Sequence, residues 1–566
     1  TANAAVDRIM ILARSLDGVI SGEHGIGITK IDYLQDDEMA AFWAYKEKVD
    51  PEGHFNRGKL MRGGNLDMAY TPSYNLIGSE SIVMEQSGIG EISAMVKDCL
   101  RCGKCKPVCS THVPRANLLY SPRNKILGTS LLIEAFLYEE QTRRGVSLAH
   151  WAEFDDVAAH CTVCHRCEKP CPVDIDFGDV TIAMRNLLRK QGKQKFNLGT
   201  TAAMTFLTIK DPMFIKGIRE VMIRFGYAAQ NKLYKLGKSL HLIQDQVAHP
   251  PATVHKPPVR TQIINFINKP MPGNLPKRSA RALLDIEDDK VIPVIRNPKL
   301  SAEESEAVFY FPGCGSERLF SQVGLATQAM LYEVGATTVL PPGYLCCGYP
   351  QTSGGQEDKG QRITTDNRVL FHRVANTLNY LDIKTVIVSC GTCMDQLQKY
   401  QFERIFPGCR LLDIHEYLME KGVKLDGVEG TRYMYHDPCH SPMKTYAPLK
   451  VTSELMGTAV PLNDRCCGES GTLAVTRPDI STQVRFRKQE EMEQGANELR
   501  ADGFAGQVKV LTSCPSCLQG LSRFRDDADT DADYIVVELA KNILGDNWMA
   551  EYVSRANTGS IERVLL

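Results

Sequence analysis

The sequence predicts a multidomain chain of mixed α+β and α/β class, and three observations carry that prediction. The first is length: 566 residues, 43% of them hydrophobic, exceed what one core organises. The second is that eighteen of the nineteen cysteines fall into four clusters, two reading C-x2-C-x2-C-x3-C and two reading Cys, then Cys-Cys-Gly, then C-x2-C, with Cys409 left over. The third is that the last two clusters copy one another, each landmark displaced by 120 to 125 residues. Such duplication resets the reading of the domains.

Taken in order, the first element is residues 1–62. Residues 21–30 read Ser21-Gly-Glu-His-Gly-Ile-Gly-Ile-Thr-Lys30, and residues 48–59 read Lys48-Val-Asp-Pro-Glu-Gly-His-Phe-Asn-Arg-Gly-Lys59. Alone, the first is a glycine-rich turn with a solvated histidine. Together and at this distance the two resemble the closing segment of the FAD-linked oxidase C-terminal domain. That family includes D-lactate dehydrogenase, the flavin subunit of glycolate oxidase and D-2-hydroxyglutarate dehydrogenase. The resemblance implies that His24 is the base that removes the substrate hydroxyl proton while hydride leaves the same carbon for flavin N5. It implies that Glu23 orients His24 or ligates a divalent metal, and that Asn56 and Lys59 lie near the flavin. An imidazole suits the task because its pKa lies near the operating pH. Arg57 stands where the family has proline. About sixty residues are too few for a FAD domain, and the chain opens at Thr1. It is expected to be the C-terminal part of a longer fused polypeptide whose upstream domain binds most of the FAD.

Residues 63–90 read as a linker of Gly, Ser, Pro and mixed polarity. Residues 91–245 then hold two cysteine runs. The first is Cys99, Cys102, Cys105 and Cys109; the second is Cys161, Cys164, Cys167 and Cys171, followed at once by Pro172. Steps of three return each sulfur to the inner surface of a loop, the spacing of bacterial ferredoxins. Zinc sites pair their cysteines and give no reason for three equal steps. Two complete runs predict two cubane [4Fe-4S] clusters. In two-cluster ferredoxins the fourth cysteine of each run ligates the other cluster. That exchange assigns Cys99, Cys102, Cys105 and Cys171 to one, and Cys161, Cys164, Cys167 and Cys109 to the second.

From Arg185 to Lys238 there are twelve Lys or Arg and two acids. Phe214, Ile218, Val221, Met222 and Phe225 share one helical face, with Lys216 and Arg219 opposite. A basic amphipathic helix can rest on an anionic membrane surface, although such a stripe is more often core packing with a solvated rim. Residues 246–300 hold nine prolines and read as a stiff connector.

Residues 301–428 and 429–548 are the repeats, and 549–566 a tail. Repeat 1 carries Cys314, Cys346-Cys347-Gly348 and Cys390-x2-Cys393; repeat 2 carries Cys439, Cys466-Cys467-Gly468 and Cys514-x2-Cys517. β-Branched or aromatic runs before Cys314, Cys390, Cys439 and Cys514 predict strands, and Gln322–Val334 and Thr364–Leu378 predict helices between them. Each repeat is expected to be a βαβ unit whose cysteines lie just beyond strand ends. Over residues 91–545 the chain resembles the Cys-Cys-Gly family, found in the B subunit of heterodisulfide reductase, the glycolate oxidase iron–sulfur subunit and the C subunit of anaerobic glycerol-3-phosphate dehydrogenase. The resemblance implies a helical two-cluster ferredoxin followed by duplicated repeats. In the heterodisulfide reductase branch five cysteines of a repeat hold a non-cubane [4Fe-4S] cluster. With both repeats complete here, two further iron–sulfur clusters are implied, while spacing alone leaves their type open. Cys409 reads as a small buried hydrophobe.

Net charge is −1, and nothing points to nucleic acid. Thiols arranged as ligands favour a reducing compartment, hence the cytoplasm or the inner face of the membrane, and no apolar run is long enough to span one. The reading that results is a flavin and iron–sulfur oxidoreductase. It moves electrons from a small 2-hydroxy acid to a quinone or another acceptor. A heterodisulfide reductase-like subunit and a non-catalytic electron-transfer subunit remain the alternatives.

Overall fold

The structure is a computed structural model that describes residues 2–21, 25–55, 58–63, 88–112, 120–141, 148–194, 198–243, 256–273, 275–300, 305–469 and 473–566. The chain divides into two compact units, Thr1–Ser73 and Tyr74–Leu566.

In the first unit two helices, Ala2–Ser15 and Asp36–Val49, are clamped by Arg14, which donates to both oxygens of Glu38 at 2.7 and 2.8 Å. Gln35 and Glu38 form a capping box at the start of the second helix. The turn after it is organised by Asp50, which accepts from Lys46 Nζ at 2.7 Å and from the backbone N–H of His54 and Phe55 at 2.7 and 3.0 Å. The Lys46 bond in particular holds its carboxyl down to about 2.

The second unit opens with a helical module. The helix Gly88–Val96 packs on Phe177–Lys190, and Pro122–Gln141 packs on Leu148–Ala159. Ile92, Val96, Phe154, Phe177, Val180 and Met184 form its core. Asp176 caps the helix Phe177–Lys190 by accepting from Gly178 N–H at 2.6 Å.

Nine strands follow: β1 (Val291–Ile295), β2 (Ala307–Phe311), β3 (Thr337–Val339), β4 (Ile383–Val388), β5 (Arg410–Asp413), β6 (Thr431–His436), β7 (Gln507–Thr512), β8 (Asp531–Tyr534) and β9 (Ile561–Leu565). They form a six-stranded sheet ordered β5-β4-β2-β3-β1-β9 and a three-stranded sheet ordered β6-β7-β8. Strands β2 to β5 pair in parallel, as do β6 to β8. Strands covered on both faces read as continuous apolar runs. All five residues of Ala307-Val-Phe-Tyr-Phe311 are buried accordingly. Strands β1 and β9 pair antiparallel at one edge. They lie in residues that the sequence suggests are connector and tail. There Pro293 is accommodated in β1, and Val564 and Leu566 pack against the core of repeat 1.

The two sheets share one core. Val308, Tyr310 and Leu331 from the first half cluster with Tyr433, Tyr435 and Leu539 from the second. The helices Ser321–Glu333 and Ile535–Leu544 pack between them. A matched pair marks the duplication: Tyr310 and Ser389 share a hydroxyl bond of 2.7 Å, and Tyr435 and Ser513 one of 3.1 Å.

Between the ferredoxin-like module and the sheets, the helix Pro212–Arg219 runs through a π segment, Glu220–Tyr227, into the helix Ala228–Ser239. Phe214, Val221 and Phe225 are exposed, while Ile218 and Met222 turn inward against Phe206 and Ile215. Arg219 corrects the sequence expectation of a solvated residue opposite that face. It is buried, donating to the carbonyls of Leu319 at 3.1 Å, Arg318 and Pro276. A guanidinium fork can satisfy several carbonyls at once, which lets it replace a hydrophobe in the interior.

Candidate metal centres

The cysteines occupy the ends of parallel strands, where open α/β sheets place their ligands. β2 ends three residues before Cys314, β4 two before Cys390, β6 three before Cys439 and β7 two before Cys514. Cys390 and Cys514 each stand at the start of a short helix, Gly391–Leu397 and Pro515–Leu521. The glycine of each Cys-Cys-Gly adopts positive φ, +92° at Gly348 and +75° at Gly468. A Cβ would approach Gly360 O to 2.9 Å and Arg485 Cγ to 2.6 Å respectively. Only glycine makes that turn without strain.

Side-chain contacts link the repeat cysteines into one line. Cys314 interacts with Cys346, that with its neighbour Cys347, that with Cys393, and that with Cys390, all as free thiols. Cys390 then meets Cys514 of the other repeat, from which the line continues through Cys517, Cys467 and Cys466 to Cys439. The Cys467 and Cys517 sulfurs are 3.6 Å apart. The last link leaves the repeats: Cys439 interacts with Cys164 of the second ferredoxin-type run. Four thiols of the line are lowered and the other seven, Cys346, Cys467 and Cys514 among them, are raised. The bond to Cys439 pulls Cys164 down to about 5, the bonds to Cys346 and Cys393 pull Cys347 down to about 6, and Cys390 and Cys466 are lowered likewise. The hydrogen-bonding neighbours Cys314, Cys393, Cys439 and Cys517 are raised.

In the helical module Cys99, Cys102, Cys105, Cys167 and Cys171 line one small cavity. Cys161 lies near Cys164, and Cys167 near both. The segment after Cys109 runs along the second run: Thr111 donates to the His160 carbonyl at 2.8 Å, and Ser110 Oγ is 3.9 Å from Cys164 Sγ. Cys409 is half-buried against the core of repeat 1.

These surroundings fit anionic clusters. Arg318, Arg485 and Arg523 are buried, and Arg318 Nε and Nη2, Arg485 Nε and Nη1 and Arg523 Nε have no hydrogen-bond partner. Arg523 has Glu469 beside it at 3.5 Å, whereas Arg318 and Arg485 have no ion-pair partner among the described residues, and buried cations without counter-charge are costly. Arg318 acts on Cys314, while Arg485 and Lys488 feel Cys467. Metal-bound thiolates would supply the missing charge. Sequence reasoning missed this group, and it also missed His436. The imidazole of His436 is buried, its Nε2 has no partner, and it converges with Cys467 and Cys517 within 4.8 Å. Burial drives its pKa down, so the ring is neutral and able to donate or ligate. The only signal in the sequence was its place three residues before Cys439.

The flavin-side candidates divide. Glu23, His24 and Asn56 lie outside the described residues, and Lys59 is exposed. Ser21 Oγ donates to the Gly25 carbonyl at 2.7 Å.

Family models match along the chain. The C-terminal domain of FAD linked oxidases matches residues 1–60, the 4Fe-4S dicluster domain 95–175, the cysteine-rich domain both 308–398 and 433–522, and a domain of unknown function 522–566. The chain therefore joins a FAD-linked oxidase segment, a 4Fe-4S ferredoxin domain and two Cys-Cys-Gly domains. It is 30% identical over 254 residues to an uncharacterized iron-sulfur protein of Methanocaldococcus jannaschii, covering 42% of this chain and 47% of that one. It is 22% identical over 450 residues to the probable glycolate oxidase iron-sulfur subunit of Bacillus subtilis, 74% of this chain and 87% of that one. With the D subunit of the dihydromethanophenazine:CoB–CoM heterodisulfide reductase of Methanosarcina barkeri it shares 23% over 473 residues, 79% and 93% of the two chains. The chain spans about half the length of the first curated relatives it matches, 47% and 56%. No solved structure gives a significant match.

Proposed function

We propose that this chain is the iron–sulfur electron-transfer part of a FAD-dependent 2-hydroxyacid dehydrogenase acting on a D-lactate, glycolate or D-2-hydroxyglutarate-like substrate. The single observation that carries the reading is the continuous line of thiols from Cys164 to Cys314 on a polypeptide that also holds a FAD-linked oxidase segment. The clusters, when bound, supply one-electron transfer between a two-electron flavin and an acceptor, a quinone or another carrier. Cys99, Cys102, Cys105 and Cys171 would hold one cubane, and Cys161, Cys164, Cys167 and Cys109 the other. The five cysteines of each repeat would hold a further cluster. The protein's own part is placement: strand ends aim the sulfurs, Gly348 and Gly468 turn the paired cysteines inward, and Arg318, Arg485 and Lys488 balance their charge.

Two measurements test this. Anaerobically purified protein is expected to carry about sixteen iron atoms, four per ligand set; about eight would confine clusters to the helical module, and stoichiometric zinc with little iron would remove the proposal. In the intact polypeptide Cys347→Ser and Cys467→Ser are expected to block acceptor reduction while leaving flavin reduction by substrate unchanged in stopped-flow absorbance. A second reading, reduction of a disulfide by the repeats themselves, is favoured by the completeness of both repeats and the likeness to the heterodisulfide reductase subunit. It predicts disulfide reduction by the chain with an artificial donor and no flavin present.

No helix among the described residues is long and apolar enough to cross a membrane. Contact with a bilayer would have to use a surface.

A further inference from the structure

A cavity of about 1180 Å³ lies among the helix Leu198–Thr208, the helical run 212–239 and the two repeats. One side is lined by Cys161 and by Cys314, Cys347, Cys390 and Cys393, the residues that would hold clusters; away from them Met204, Phe206, Leu207, Ile218, Met222 and Phe266 form an apolar wall. Its arginines are already engaged. Arg185 donates to the carbonyls of Ser353, Ala158 and Cys161 at 2.8 to 3.0 Å, and Arg477 pairs with Asp156 and Asp479 at 3.2 and 2.9 Å. The part of the space that the apolar wall bounds, beyond the cluster-holding cysteines, suits an uncharged, largely apolar molecule.

The wall helix keeps that space open at a cost to itself. Gly217 and Gly226 both line the cavity. Glycine inside a helix is less stable than alanine, yet a Cβ at Gly217 would meet nothing within 4 Å, and one at Gly226 only the Val221 carbonyl at 3.5 Å. The π segment Glu220–Tyr227 follows Gly217 and contains Gly226, and such segments recur at functional sites. Val221 lines the cavity and is also 65% exposed, so the cavity opens beside it. The run 210–239 that carries Val221 also exposes Met213, Phe214, Phe225, Leu233 and Leu236 together with Lys210, Lys216, Lys232 and Lys235. Its acids are Asp211, which caps the helix, and Glu220. Apolar side chains with a basic rim complement an anionic bilayer surface.

We propose that this cavity binds the ring of a lipid-soluble quinone, and that the 210–239 face rests on an anionic membrane from which the quinone enters beside Val221. The proposal deepens the electron-transfer reading and rests on it for its chemistry. The quinone takes up two electrons, released by oxidation of the 2-hydroxy acid and delivered through the iron–sulfur centres, and two protons from water, and leaves as the quinol.

The test uses the full chain in its oxidised, cluster-loaded state without substrate. Equilibrium dialysis with decylubiquinone is expected to show saturable binding, weakened at least tenfold in Gly217→Phe and in Gly226→Phe, each with wild-type iron content. Wild-type affinity in both variants, or no saturable binding at all, overturns the site. Co-sedimentation with phosphatidylglycerol vesicles is expected to exceed that with phosphatidylcholine vesicles and to fall at least tenfold in Lys232→Glu/Lys235→Glu; equal sedimentation with both lipids overturns membrane entry. Because binding is read without turnover, its failure is distinct from failure of the relay. A dithionite-reduced chain that binds decylubiquinone in the cavity without reducing it would leave the site standing and sink the electron-transfer reading.

Discussion

In a polypeptide that joins this chain to a FAD-binding domain, His24→Gln is expected to slow flavin reduction by the 2-hydroxy acid about 10²–10⁴-fold, the usual loss when a general base is removed. Flavin occupancy and iron content should be those of the wild type, because the substitution touches neither set of ligands. Glu23→Gln should also impair flavin reduction, more severely where a divalent metal is present, since a ligating carboxylate would then be lost. The measurement is single-turnover flavin bleaching with D-lactate, glycolate and D-2-hydroxyglutarate, with the C2 hydrogen replaced by deuterium in whichever reacts. The His24 variant should retain or enlarge the isotope effect if hydride transfer has become limiting. Near wild-type bleaching would make Glu23-His24-Gly25 a structural turn.

That expectation stands on sequence alone, which shows where each kind of signal was strong. Cysteine spacing is local and chemically constrained, so four ligand sets and a duplication could be read directly. The apolar runs before Cys314, Cys390, Cys439 and Cys514 became β2, β4, β6 and β7, because buried parallel strands cannot alternate in polarity. The last two strands of the six-stranded sheet, β1 and β9, were illegible: β1 contains a proline, and each finds its partner only through tertiary pairing, β9 with a segment some 270 residues earlier. Arg219, Arg318, Arg485 and Lys488 were read as surface charge or not at all, since composition gives a buried cation no distinguishing mark. The link between Cys439 and Cys164 was also out of reach, because spacing specifies a run but not which neighbouring run its sulfurs face.

The buried charges make the two repeats unequal, with a large electrochemical consequence. Around repeat 1 the cation acting on the thiols is Arg318. Around repeat 2, Arg485 and Lys488 face Cys467, Arg166 acts on Cys466, and the His436 ring approaches Cys467 and Cys517 where repeat 1 has Phe311. Lys488 is fixed by the Asn463 carbonyl at 2.8 Å and Glu491 at 2.9 Å, so its ammonium cannot swing away. A unit charge about 6 Å from a centre at an effective dielectric of about 20 is worth roughly 3 kcal/mol, or roughly 100 mV for a one-electron couple. Positive charge favours the reduced, more negative state, so the cluster of repeat 2 is expected to accept electrons more readily than that of repeat 1. In an EPR-monitored redox titration, Arg485→Met and Lys488→Met should each lower the potential of the repeat 2 signal by roughly that amount and leave repeat 1 nearly unmoved; Arg318→Met should do the reverse. Arg485→Lys keeps the charge while altering the packing, and should hold the potential close to wild type. If all three methionine variants titrate like the wild type, the buried cations answer some other charge than that of a cluster, and the asymmetry between the repeats is one of packing.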